Sequence, residues 1–325
     1  MPALGHPKRD TMTVHVLYEN EAWLPPLREA LDRAGLPVVE HFVAGGTIDL
    51  AAIPPEGVFI NRMSPSSHTR GHQGGVTFVK EYLAVLESHG RRVINGSRAF
   101  AIEVSKIRQD ALLQAHGILT PRTIAVVADD LKAAARSMEG PFITKHNQGG
   151  KGLGVRLFRD LASFDAYVDS DEFEDGIDGV TLLQQYIEPP EPFITRVEIV
   201  DGVFQYAIRS ATTGGFELCP ADACALDADA LCPADSGETF ALRPDITADD
   251  PLVQAYIRLM RAEGLDVAGI EFVEDAEGRR YTYDINGTTN YNGGVEEAHG
   301  LSGMDAIAAL CARELAAQVR APAAK

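Results

Sequence analysis

Short apolar runs alternate along this chain with stretches in which apolar positions recur every three or four residues, the two periodicities that separate strands from amphipathic helices. From residue 12, TVHVLY reads as a strand and LPPLREALDRAG as a helix with prolines in its first turn and Gly35 at its end. VVEHFV and GVFINR are further strands. VTFVKEYLAVLESHG places Val76, Val79, Leu83 and Leu86 on one helical face and closes at Gly90, and RRVIN is the next strand. This β-α-β order predicts a small parallel sheet whose carboxyl-end loops are available to a ligand.

AFAIEVSKIRQDALLQAHGI carries helical spacing throughout and predicts one helix ending at Gly117; the strand TPRTIAVV follows, then a helix over 129–139 with Asp129 as its N-cap. FITK and VRLF are strands on either side of KHNQGGKGLGV, and a helix capped near Asp160 precedes the apolar strand VTLLQQYI. The EPPEP segment, 188–192, predicts a domain hinge. Beyond it, FITRVEIVDGVFQYAIRS is a hairpin with Asp-Gly at its turn, DPLVQAYIRLMRAEG a helix, VAGIEFVE and RRYTYDIN a second hairpin, and residues 301–319 a terminal helix. No internal repeat of solenoid length is present.

The 325 residues are 45% apolar and 23% charged, enough for two or three domains with a large core. A formal charge of −18 argues against broad-surface binding to nucleic acid or an anionic membrane, so any bound anion must meet a local cluster of positive groups. No apolar run is long enough to span a bilayer, and the start, MPALGHPKRDTMTV, lacks the apolar core of a secretory signal. The expected location is cytoplasmic, with residues 1–11 a disordered extension. Cys219, Cys224, Cys232 and Cys311 fit a reducing compartment; the first three are spaced more widely than zinc pairs and read as small thiols of a structured loop.

Two stretches carry chemistry. In KHNQGGKGLGV, four glycines fall within Gly149–Gly154. A P-loop needs Ser or Thr after its lysine, but Lys151 is followed by Gly152; a dinucleotide turn needs glycine where Val155 stands and a helix where a strand follows. What remains is either a flexible surface hairpin or a flap whose glycine backbone approaches an anion, with Lys145 at its base. The second stretch is GIEFVEDAEGRRYTYDINGTTNYN, 269–292. If its strands pair, Glu271, Asp284 and Asn286 share a face. That is either a solvated strand face or a hard-oxygen set for Mg²⁺, and the apolar neighbours make unneutralised acids costly there.

With the lysine, the glycine flap and the acid-acid-amide set in hand, the sequence resembles the ATP-grasp superfamily, especially its RimK-like carboxylate-amine ligases, from about Asn61 to Leu310. The resemblance implies an α/β (α+β) architecture. An N-terminal parallel-sheet, Rossmann-like domain at 12–97 is followed by a central lid subdomain at 98–187 and a C-terminal subdomain with the metal site at 188–325, the last two clamping ATP. It implies that Lys106 and Lys145 meet the ATP phosphates under a flap of Gly149, Gly150, Gly152 and Gly154. Backbone groups of Gln185, Tyr186 and Ile187 would read the adenine edge and Glu191 the ribose, although most relatives have glutamate at the position of Gln185. Glu271, Asp284 and Asn286 would hold one or two Mg²⁺, with Mn²⁺ as the alternative metal; the family usually places Asp first and Glu second. Arg196 and Arg209 would be catalytic, Arg209 neutralising the transferring phosphoryl group. Arg62, Ser64, Arg70 and Asn290 would bind the substrate. The segment GGFELCPADAC departs from the family's short Arg-x-Asn loop and leaves that substrate open.

The implied reaction joins a small-molecule carboxylate to an amine, an amino acid or peptide, through an acyl phosphate. Nucleic acid and membrane partners are not expected, and the resemblance allows a homo-oligomer. Two alternatives stand beside it: an ATP-grasp kinase acting on a hydroxyl, and a non-catalytic nucleotide-binding protein.

Overall fold

The computed structural model describes residues 12–150, 152, 154–212 and 239–320. The expectations for residues 1–11, for Lys151 and for the cysteine segment 219–232 lie outside the described residues. Thr13–Tyr18 (β1), Val38–Phe42 (β2), Gly57–Arg62 (β3) and Arg92–Ile94 (β4) form the expected parallel sheet, ordered β2-β1-β3-β4. Every residue of β3 is buried because helices cover both faces. Pro25–Arg33 (α1) packs on one face and Gly75–Ser88 (α2) on the other, with Val79, Leu83 and Leu86 against Leu17 and Phe59.

The predicted single helix ending at Gly117 is two helices, Ser97–Glu103 (α3) and Lys106–Ala115 (α4). Ser105 breaks it by adopting an extended backbone and accepting the Arg108 amide on its side chain, an N-cap that periodicity does not reveal. Lys106 consequently stands at a helix start. Thr123–Val127 (β5), Phe142–His146 (β6), Arg156–Phe158 (β7) and Val180–Gln185 (β8) form an antiparallel sheet ordered β5-β8-β6-β7, and Leu131–Ala135 (α5) and Leu161–Val168 (α6) cover it. The cap of α5 is Asp130, one residue beyond the expected Asp129.

The third sheet runs β11-β10-β9-β12-β13, built from Phe193–Val200 (β9), Val203–Ala211 (β10), Phe240–Leu242 (β11), Val267–Glu274 (β12) and Arg280–Asn286 (β13). Pro251–Glu263 (α7) packs on one face, together with Ile102 of α3 and Leu113 of α4, so the stretch from 97 to 118 joins this core instead of the core of the second sheet. Gly293–His299 (α8), which the sequence pattern did not predict, leads to Gly303–Arg320 (α9). α9 packs on the first sheet, and buried Cys311 lies in that core. Among the described residues no helix is long and apolar enough to cross a membrane.

Asn95 stitches the first and third sheets together from a left-handed backbone conformation, φ 50°. Its Oδ1 accepts from the amides of Asp266 (2.9 Å) and Val267 (3.1 Å), and its Nδ2 donates to Val267 O (2.8 Å) and Gly287 O (2.9 Å). Asn95→Ala strands four backbone groups, three of them in buried bonds, and should destabilise the protein by about 3 kcal/mol, read from denaturant titration. A second expectation concerns pH. His15 Nε2 must donate to Glu56 O (3.1 Å), and because burial lowers the pKa of His15 and favours its neutral ring, its Nδ1 is left to accept from His41 Nε2 (2.9 Å). Burial, helped by His15, pushes His41 down from 6.5 to about 4. The unfolded chain therefore takes up the proton first as pH falls, and stability should drop by about 2 kcal/mol between pH 7 and pH 5. Urea titrations at both pH values measure it, and His41→Gln should lose correspondingly less.

Candidate functional site

A cleft lies between the second and third sheets, with the loop after β3 closing one end. Its floor is the β12–β13 pair. Register sets Glu271 opposite Asp284 and Gly269 opposite Asn286, and all three expected donors line the cleft. The Asn286 amide nitrogen bonds Gly269 O (3.4 Å), which leaves its oxygen for the cleft. Burial raises the pKa of Glu271, and nearby Asp284 adds to the rise against the pull of Arg196. Burial acts the same way on Asp284, but Lys106 and Lys145 outweigh it and hold that carboxyl below its usual value. Two acids and an amide oxygen on adjacent strands form a donor set that fits Mg²⁺.

Three cations face these acids. Lys106, almost wholly buried at the start of α4, donates to Asp284 Oδ1. Lys145, on β6, donates to Tyr283 O (3.2 Å) and stands over the Tyr283 ring; burial lowers it to about 8 even with Asp284 close by. Arg196, on β9, reaches Glu198 (2.6 Å), Glu271 (3.0 Å) and Thr289 Oγ1 (2.5 Å), and these acids keep it charged despite burial.

β6 and β7 are the two arms of the glycine hairpin, and Gly149, Gly150 and Gly152 line the cleft while Gly154 does not. Gly154 serves a different purpose: at φ 72° it lies against the His146 ring, where a Cβ would come within 2.5 Å. The flap's first arm is anchored to α4. Asn147 accepts the Lys106 amide on its carbonyl (3.2 Å) and the Ile107 amide on Oδ1 (3.0 Å). At the far end, Gln185, Tyr186 and Ile187 line the cleft. The amides of Gln185 and Tyr186 are committed to Arg122 O and Pro141 O, whereas that of Ile187 has no hydrogen-bond partner among the described residues.

The remaining expected residues divide. Ser64 and Asn290 line the cleft. Arg62 stands behind Asn290, donating to its Oδ1 (2.8 Å) and to Thr289 O (2.8 Å); that bond turns the Asn290 NH₂ away from Arg62 and makes the arginine a positioning group. Arg70 is drawn to buried Glu19, with contacts of 2.9 and 2.5 Å, and does not line the cleft. Glu191 is exposed and also does not line it. Arg209 is not brought to the site: it pairs in register with Thr195, so strand alternation places it on the sheet face opposite Arg196, where it is exposed.

No family model and no curated protein matches the sequence. Solved structures do. The ATP-grasp ligase PsnB, complexed with a minimal precursor, Mg and ADP, aligns at TM-score 0.64 and 17% identity over 96% of this chain and 100% of that one. The D-cycloserine synthetase DcsG aligns at 0.63 and 21% over 93% and 99%. A RimK domain ATP-grasp protein from Sphaerobacter thermophilus DSM 20745 aligns at 0.65 and 16% over 91% and 98%. The chain has the ATP-grasp fold.

Sequence reasoning missed Glu103 and Trp23, which line the cleft, and Glu198 and Thr289, which hold Arg196. Glu198 carried a signal, since a second charge two residues after Arg196 in an apolar strand faces the same way. The others carried none, because their place depends on how α3 and the first-sheet loops meet the third sheet. Glu198→Ala leaves Arg196 buried with one acid fewer and should cost about 3 kcal/mol of stability by thermal or denaturant melting, with Glu198→Gln losing less.

Proposed function

We propose that this chain is an ATP-dependent carboxylate-amine ligase that makes an amide bond and releases ADP and phosphate. One observation carries the reading: two buried lysines and a buried arginine converge on two acids and an amide beneath a glycine flap. Such an arrangement suits a polyphosphate far better than a neutral ligand. The fold supports it, because two of the three compared structures are described as a ligase and a synthetase, the ligase holding Mg and ADP.

In this reading adenine lies along Gln185–Ile187, where the Ile187 amide is available as a donor. The phosphates lie under Gly149, Gly150 and Gly152, with Lys145 and Lys106 as their cations. Glu271, Asp284 and Asn286 would hold Mg²⁺, which supplies neutralisation of the phosphate oxygens. Lys106 would give up its pairing with Asp284 for a phosphate oxygen, leaving that carboxylate among the residues that would hold the metal. A substrate carboxylate oxygen attacks the γ-phosphorus as ADP leaves, and Arg196 faces the charge that develops. The amine nitrogen next attacks the acyl carbon and phosphate leaves. The flap, anchored through Asn147, excludes water that would hydrolyse the acyl phosphate. Ser64 and the Asn290 NH₂ face the acceptor end and contact the substrate, while Arg62 holds Asn290 in place.

The test is phosphate release with ATP and Mg²⁺ over a panel of amino acids and small carboxylates, with mass spectrometry of products. An amide with free phosphate is expected; a phosphorylated alcohol without free phosphate makes the chain a kinase, and no turnover with any pool leaves a nucleotide-binding protein. Asp284→Ala should lower turnover at least ~100-fold while ATP binding, measured by calorimetry, weakens only about tenfold.

A further inference from the structure

Glu103 is the last residue of α3, and its carboxyl stands in the cleft wall with only 4% of the residue exposed. Three carboxylates line the cleft among the described residues. Glu271 is paired with Arg196 and Asp284 with Lys106, whereas Glu103 makes no ion pair. Its Oε1 accepts the Thr288 amide (2.8 Å). Its Oε2 lies over Gly287, where a Cβ would come within 2.8 Å; only the lack of a side chain there lets the carboxyl sit so close to the backbone.

Its position along the floor is equally specific. Tyr281 and Tyr283 pack with Ile187 at the hinge-strand end, Asp284 and Asn286 follow, and Thr288 and Asn290 come last. Glu103 therefore lies beyond the metal-type donors as seen from the proposed adenine strand, at the end left for the acceptor. Burial raises its pKa to about 7, opposed by the Thr288 amide and by the charges facing it, Arg62 of β3 and Lys106 of α4.

An amine acceptor is mostly an ammonium ion at neutral pH and has no lone pair with which to attack. A carboxylate at the acceptor end that titrates near neutrality is matched to removing that proton. We propose that Glu103 is the catalytic base of the second half-reaction, taking a proton from the incoming amine. The nitrogen forms its bond to the acyl carbon as the carbon–oxygen bond to phosphate breaks. Phosphate departs with that electron pair and takes the second proton released by the nitrogen, leaving as hydrogen phosphate, while the first proton stays on Glu103 until the cleft opens to water. This rests on the ligase reading.

Hydroxylamine separates the two, since it is largely neutral at pH 7 and traps an acyl phosphate as a hydroxamate without a base. The probes are ATP, Mg²⁺, the carboxylates of the twenty L-amino acids and succinate, and either hydroxylamine or an amino-acid amine as nucleophile. Glu103→Gln should keep hydroxamate formation within about twofold while amide formation falls about 100-fold or more. In the parent, amide formation should show an acid limb with its midpoint near 7 that hydroxamate formation lacks. Equal losses with both nucleophiles, or no loss with either, overturn the proposal and leave the ligase reading standing. Neither product from the parent overturns both. Should Glu103→Gln fail to fold by circular dichroism, the parent profiles decide alone, and identical limbs for the two nucleophiles reject the base.

Discussion

Mutual neutralisation of charges out of water is the constraint on which this molecule is built. Lys106 on Asp284, and Arg196 between Glu198 and Glu271, bring residues from α4, β9, β12 and β13 to one floor. An isolated charge buried there would cost several kcal/mol, so each of these side chains is tenable only with its partner. The pairing also fixes where the elements sit. α4 must start beside β13, and β9 must lie next to β12 with Arg196 opposite Glu271. A cleft made this way holds its cations against its acids.

The supports around that floor are hydrogen-bonded amides. Asn95 ties the first sheet to the third, Asn147 ties the flap to α4, and Gln109 ties α4 to β13 by accepting the Ile285 amide (3.0 Å) and donating to Ile285 O (2.9 Å). A neutral amide carries both a donor and an acceptor, so it bridges two backbones with little of the desolvation cost of a charge. Rigidity is thereby concentrated at the floor and at the flap's root. Beyond Asn147, Gly149, Gly150 and Gly152 line the cleft with no such side-chain tie among the described residues.

Much of the architecture was legible because periodicity reports burial directly. The short apolar strands of the first sheet, the Asp-Gly hairpin and the cap at Asp160 follow from local chemistry. The break at Ser105 was not legible, since the stretch keeps helical spacing on both sides and the interruption is completed by Asn147 from another sheet. Arg209 shows the converse: its type and place in the chain suggested a phosphate contact, but strand parity sends it to the other face. Arg62 and Arg70 are arginines of the same loop region, and each is claimed by a different partner, Asn290 or Glu19.

By itself the sequence determined the element order, the glycine hairpin with a lysine at its root, and the pairing of Glu271, Asp284 and Asn286 on adjoining strands, because each depends on residues near one another or on strand alternation. Which charges meet was decided only by the tertiary structure. Lys106 and Asp284 lie far apart in the chain, as do Glu103 and Thr288, and no local preference sets their distance. Desolvation of a buried charge is a property of the assembled interior, and it does not exist until the sheets have closed on one another.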